Sequence, residues 1–439
     1  MTETKYLNKF HSSFPLKLGL AYIVFSLTLF CIGPIDWPII NIYTVIFYMT
    51  ILLIATYTMF MLGLKKNPKQ NNLSTRRIIF WVGALSSIIL LYPTAQIYTG
   101  RAPWQVLEAL SDQREAYSRL REQLQFTQDA RGPIVLLRAL SGPFTFAVLP
   151  LGILYWKSLS RSMRVLLFGT VVSTVILSVL RGTTRELADL VIVGGAALLI
   201  SMYRQSKAIP RLSQHWPKIV AAIVVALGVL AALTGRTEAR LAGAGSSLCI
   251  GGGYVCPNFD APVYRDLPPI MISGIASLTG YLSQGYYGLA LALQNDFIPT
   301  WGLGHSPIIG SLYRVLSGDD TYFNSTYIER LNQQAWTSDS HWSTAATWYA
   351  SDVSFWGVPV IMGIIGYLWA RSWVDAVYGA NDKAAVFFCV IMMMVFYFPA
   401  NNQMMGTFEG YTTTLFWGLF WTFSRHERIA VWRPVGVSP

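Results

Sequence analysis

Ten stretches of mostly apolar residues dominate the chain: 18–33, 39–64, 78–98, 133–156, 165–181, 186–203, 218–234, 353–371, 383–400 and 411–424. A helix needs roughly 20 such residues to cross about 30 Å of hydrocarbon. The runs are too long, and alternate too little, for strands of a membrane β-barrel. The fold class that follows is an all-α polytopic membrane protein with about ten transmembrane helices, in a range of about eight to fourteen. Composition agrees: 53% of the 439 residues are apolar and only 13% charged, against about 25% charged in a soluble domain. A cytosolic Rossmann or TIM-type enzyme, a disordered chain and a disulfide scaffold are thereby excluded. The first run has no small-residue cleavage site behind it, so it is expected to stay as a span.

The net charge of +11 would suggest nucleic acid in a soluble protein. Its placement says otherwise. Lys65, Lys66, Lys69, Arg76 and Arg77 crowd one short loop without an acid. Lys157, Arg161 and Arg164 crowd another, and Arg204, Lys207, Arg211 and Lys218 a third. Loops of this kind stay cytoplasmic, and they fall on one side if both termini are inside. The basicity is a topology signal, and no nucleic-acid partner is expected. The stretch 371–383 belongs on the same side by alternation, although Arg371, Asp375, Asp382 and Lys383 cancel in charge.

The chain then reads as a single membrane domain over 1–439 with two sizeable outer segments. In 99–132, Trp104 to Gln128 lacks Gly and Pro and is expected to be one amphipathic helix with a Glu115–Arg119 pair. Arg114 and Arg121 stand seven apart on one face, where two guanidinium groups can hold a phosphate. The second segment, 235–352, is long enough to be functional. Its Cys249 and Cys256, with six residues between them, read best as a disulfide outside the cytoplasm. No metal site is expected, because no His or Cys pair stands at ligand spacing nearby. The apolar but Gly-broken stretch 270–294 suits a re-entrant or surface helix.

Ionisable groups at membrane depth are costly and point to function. Arg138 sits five residues into a span. Arg181 and Arg185 flank Gly182 at an outer turn and would repel if both were helical. Asp189, or Glu186 after a bend at Gly182, can offset them internally as a buried ion network; a phosphorylated ligand can offset them too. Ser338-Asp339-Ser340-His341-Trp342-Ser343 closes the long loop, followed by Tyr349 and Asp352. His341 can move a proton near neutral pH; His305, in Trp301-Gly302-Leu303-Gly304-His305-Ser306, is the lesser candidate. There is no P-loop, HExxH helix or G-x-S-x-G elbow.

In the order of these features the chain resembles the Wzy-type O-antigen and oligosaccharide repeat-unit polymerases, relatives of the O-antigen ligases. The residues carrying the likeness are Asp112-Gln-Arg114-Glu-Ala-Tyr117-Ser-Arg119-Leu-Arg121, Arg181-Gly-Thr-Thr-Arg185-Glu186 and Ser338-Asp339-Ser340-His341 leading to Asp352 and Gly357. The resemblance implies a GT-C-like glycosyltransferase of the bacterial inner membrane, with its active site facing the periplasm. It implies undecaprenyl-diphosphate-linked glycans as donor and acceptor, metal-independent chemistry without a cofactor, and a chain-length regulator as partner. For that chemistry Arg181 and Arg185 are expected to hold the donor diphosphate, with Arg114, Arg121 or Arg138 assisting, and His341 or Asp339 to act on the acceptor hydroxyl. Tyr349, Trp342 and His305 would bind substrate. The alternatives are a ligase acting on lipid A-core and a flippase or transporter for the same lipid-linked oligosaccharide; the chain shows no repeated halves of the transporter kind.

Overall fold

The computed structural model describes residues 13–70, 76–126, 132–205, 249, 255–267, 269–334, 336 and 341–425. The expected span 218–234 and Asp339 lie outside them. Among the described residues the regular structure is helical, apart from one isolated bridge between Ile35 and Pro257. The first half holds α1 (Phe14–Ile32), α2 (Ile42–Leu64), α3 (Arg76–Ile89), α4 (Leu91–Thr99), α5 (Val106–Ser111), α6 (Gln113–Phe126), α7 (Gly132–Leu154), α8 (Arg161–Leu180) and α9 (Arg185–Gln205). The second holds α10 (Pro269–Ala292), α11 (Pro307–Ser317), α12 (Thr321–Asn324), α13 (Tyr327–Asn332), α14 (Ala345–Val377), α15 (Asp382–Tyr397) and α16 (Phe408–Ser424).

By length and composition six of these, α1, α2, α7, α8, α9 and α14, can cross a membrane, and α3 with α4 makes a seventh if counted as one span. The chain is a membrane-embedded helical protein. α3 and α4 meet at a 40° bend; Pro93 lacks the N–H that would bond Ile89 and its ring crowds that carbonyl. α15, 16 residues long, is the most buried helix. It is held between α14 and α16 by Trp369, Trp373, Trp417 and Trp421, all essentially inaccessible. Helix contact relies on small residues, as expected where lipid supplies no hydrophobic drive. At Gly366 the backbone of α14 comes so close to Thr56 of α2 that a Cβ would meet its carbonyl oxygen.

Two ends of the bundle can be told apart. At one, Arg371 donates to Lys66 O at 2.6 Å and Asn67 O at 2.8 Å. There Lys69 N reaches Asp375 Oδ1 at 2.9 Å, Arg425 pairs with Asp375, and Tyr155 donates to Asp382 at 2.6 Å. The 371–383 stretch therefore sits with the basic loops. Arg371, Asp375 and Asp382 are absorbed in buried ion pairs, and Lys383 lies over the Phe420 ring at 4.2 Å. The opposite end gathers 33–41, the α4–α6 region, the α8–α9 turn, the described part of the long segment and the α15–α16 connection.

Two outer segments show what the sequence left open or expected differently. Trp104–Gln128 is not one helix. Asp112 breaks it (φ −132°, ψ 85°) and starts α6 by accepting the Glu115 N–H at 2.9 Å, because Asp competes with the helix backbone and favours caps. The stretch 270–294, expected as a re-entrant or surface helix, is the helix α10. α10 packs along α1, with Tyr286 fully buried and its hydroxyl 2.8 Å from Ser26 Oγ.

Candidate functional site

The α8–α9 turn is built by glycine. Gly182 N donates to Val179 O and Thr183 N to Ser178 O, both at 3.0 Å, with Gly182 at φ +60°. This is the Schellman arrangement, in which the left-handed residue after the helix satisfies its last carbonyls. Arg181 thus ends one helix and Arg185 begins the next, so they are not helical neighbours, and the repulsion expected for that case does not arise. The bend returns Glu186 to Arg181, at 3.0 Å, and Thr183 Oγ1 donates to the same carboxylate at 2.7 Å. Arg185 lies 3.7 Å from Asp189, which also accepts from the Tyr397 hydroxyl at 2.7 Å. The side-chain oxygen of Gln403 faces the Arg185 guanidinium at 2.7 Å. Arg138 makes a two-pronged pair with Glu409 of α16, one prong at 2.9 Å. The Tyr98 ring lies 4.4 Å from the Arg181 guanidinium and 5.8 Å from that of Arg138. Three guanidinium groups meet three carboxylates here. Arg138, Arg185, Glu186, Asp189 and Glu409 line one part of a cavity of about 260 Å³.

α6 rests on this turn: Gln113 O and Tyr117 N would touch a Cβ on Gly182. Arg114 and Arg121 therefore belong to a helix docked beside Arg181, although their side chains lie outside the described residues. The expected Glu115–Arg119 pair is present at 2.7 Å.

The second constellation centres on Asp352. Its Oδ1 accepts from Gly302 N at 2.8 Å and Gly304 N at 2.9 Å, and its Oδ2 from His305 N at 2.8 Å. Thr300 Oγ1 stands 2.5 Å from Oδ1. Positive φ at Trp301 and Gly302 wraps the loop so that successive N–H groups converge on the carboxylate, a backbone nest. His305 Nδ1 is 3.0 Å from Oδ2. A carboxylate only accepts, so Nδ1 carries a proton, and in the neutral ring Nε2 presents its lone pair. That lone pair faces the Tyr411 hydroxyl at 3.3 Å. α14 breaks at Ser354 (φ 60°), two residues beyond Asp352.

The α15–α16 connection joins the two constellations. Tyr397, Gln403 and Glu409 serve the arginines; Asn402 donates to His305 O at 2.8 Å, Ser306 donates to Met405 O at 2.6 Å, and Tyr411 meets His305. The His341 ring lies 4.5 Å from that of Trp336. Trp342 packs against Tyr281. Tyr349 is buried, its hydroxyl 3.3 Å from Asn402 Oδ1. Cys249 and Cys256 are joined by a disulfide. Among the described residues no group of three or more His, Cys, Asp or Glu can hold a metal ion.

Sequence reasoning missed Glu409, Tyr397, Tyr98, Gln403 and Tyr411. Glu409 had a signal: it is the only acid between Lys383 and Ser424. Set beside models of protein families, curated proteins and solved structures, the chain shows no match.

Proposed function

We propose that the protein is an integral-membrane glycosyltransferase that polymerises oligosaccharide repeat units carried on undecaprenyl diphosphate. The observation supporting this is that the α15–α16 region touches both an arginine cluster lining a cavity, through Glu409, and a histidine held by a carboxylate, through Asn402, Met405 and Tyr411. Breaking a sugar–diphosphate bond leaves negative charge on the diphosphate, which preorganised guanidinium groups stabilise. Arg185 and Arg138, which line the cavity, take the donor diphosphate, and Arg181 supports them. His305 accepts the proton of the acceptor hydroxyl as that oxygen attacks the anomeric carbon. The bond from that carbon to the diphosphate oxygen breaks, and its electron pair leaves with the diphosphate. Asp352 holds the imidazole in the required tautomer and stabilises its charged form.

In this proposal the spans number about ten: the six, the bent α3–α4 pair, α15, α16 and 218–234, in a GT-C-like arrangement. The basic end faces the cytoplasm of the inner membrane, both termini lie there, and the arginine end faces the periplasm. A chain-length regulator would bind the periplasmic end.

The test is the purified protein in vesicles with lipid-diphosphate-linked repeat units. The expected result is glycans of two or more repeats, with one lipid diphosphate released per new bond. Substrate recovered unchanged from folded protein overturns the proposal. Equal numbers of guanidinium and carboxylate groups also suit a purely structural ion lock between α7, α9 and α16, and the Arg138 variants below separate the two.

A further inference from the structure

Helix α11 presents its apolar side outward. Ile308, Ile309, Leu312, Val315 and Leu316 recur at the spacing of one helical face. Val315 and Leu316 are each 77% exposed, and Leu312 is exposed as well. The packing is done by the other side. Gly310 lies against Phe323, the Arg314 guanidinium covers the Phe323 ring at 4.9 Å, and Tyr313 meets Tyr322 with ring centroids 5.6 Å apart. A helix in water buries its apolar stripe and leaves the polar side out. α11 leaves the outer half of its apolar stripe exposed.

A second exposed apolar row stands on a helix tied to the start of α11. Ser306 caps α11, accepting from Ile308 N at 3.2 Å, and the residues just before it are tied to Asp352 at the head of α14. Trp301, 77% exposed, precedes Gly302, which donates to Asp352. From there Val353, Trp356, Val360 and Ile364 form an exposed row down α14, with Trp356 at 85%, and α14 is long and apolar enough to cross a membrane. Exposed apolar rows on such a helix and on a short amphipathic helix tied to it, with exposed Trp at the junction, suit the headgroup boundary of a bilayer.

We propose that α11 and the Trp301 turn insert into the leaflet on the arginine side, and that lipid covers this face. α11 starts two residues after His305, so its depth fixes how far the His305–Asp352 pair stands from the membrane surface. The inference goes beyond the proposed reaction and holds whatever that reaction is.

Spin labels test it. Val315→Cys, Leu316→Cys, Asp319→Cys and Val360→Cys are made singly in a Cys31→Ser background, labelled, and reconstituted as the full chain in phosphatidylcholine–phosphatidylglycerol vesicles. Positions 315 and 360 are well exposed, so the label displaces no packing there. Collision rates with oxygen and with a water-soluble nickel chelate are compared. Labels at 315 and 316 are expected to behave like the one at 360, favouring oxygen on the order of tenfold more than the label at 319 does. Nickel contact equal to that at 319 would put the face in water and overturn the proposal. Poor contact with both reagents, with dipolar broadening between labels, would show a second copy covering the face and overturn it equally.

Discussion

Replacing Arg138 by Met leaves Glu409 without its ion-pair partner between α7 and α16, with Arg181 and Arg185 as the nearest remaining positive charges. Breaking a fully buried ion pair on one side costs about 3–5 kcal/mol. The Glu409 side chain is 35% exposed in the open cavity, so partial solvation brings the expected loss for Arg138→Met nearer about 2–3 kcal/mol. The double variant Arg138→Met/Glu409→Leu removes both charges, and such replacements are close to neutral. Thermal unfolding in detergent should therefore fall for the single variant and return for the double. Chain elongation in vesicles should fall in both, by on the order of 10²–10³, the loss typical of one preorganised donor to developing charge. If the double variant recovers elongation together with stability, Arg138 is a structural partner of Glu409 and has no role toward the diphosphate. An unfolding midpoint unchanged in Arg138→Met would contradict the energetic argument itself.

Three further outcomes are expected. His305→Gln should slow elongation by about 10²–10⁴, the usual contribution of a general base, while His341→Gln should leave it near wild type; the reverse order would return the base to the long-loop motif. Gly182→Ala must hold φ near +60° and would place a Cβ 2.8 Å from Gln113 O; about 2 kcal/mol of stability should be lost, seen as a lower unfolding midpoint and faster proteolysis of α6, and an unchanged midpoint would contradict the docking of α6 on the turn. Of the four cysteines, Cys31 and Cys389 are free, so the denatured protein should add two maleimides before reduction and four after; four additions without reductant would contradict the Cys249–Cys256 bond.

Most of the bundle was legible because the length of an apolar run records a span directly. The runs 133–156 and 186–203 return as Gly132–Leu154 and Arg185–Gln205. The bend inside 78–98 was not, since apolar count ignores the N–H missing at Pro93. Arg138, Arg181 and Arg185 stood out as charges where charge is costly, but their partners did not. Glu409 and Tyr397 come from helices more than 200 residues away, and nothing local announces such a pairing. The hydrogen-bond network around His305 was not legible for a related reason. Ser338-Asp339-Ser340-His341 has its polar neighbours in sequence, whereas His305 has its carboxylate 47 residues away. Gly302 and Gly304 were the overlooked signal, because they let backbone N–H groups close around Asp352.

Glycan length on a gel, after deleting this protein from its host and restoring either wild type or Arg185→Ala, decides the proposed activity. Surface glycan shortened to a single repeat unit on its anchor, lengthened again by wild type and not by Arg185→Ala, is the predicted result. Full-length chains stranded on the lipid carrier would mean a ligase. Single units trapped on the inner leaflet would mean a flippase, and would contradict the roles given to Arg185 and His305.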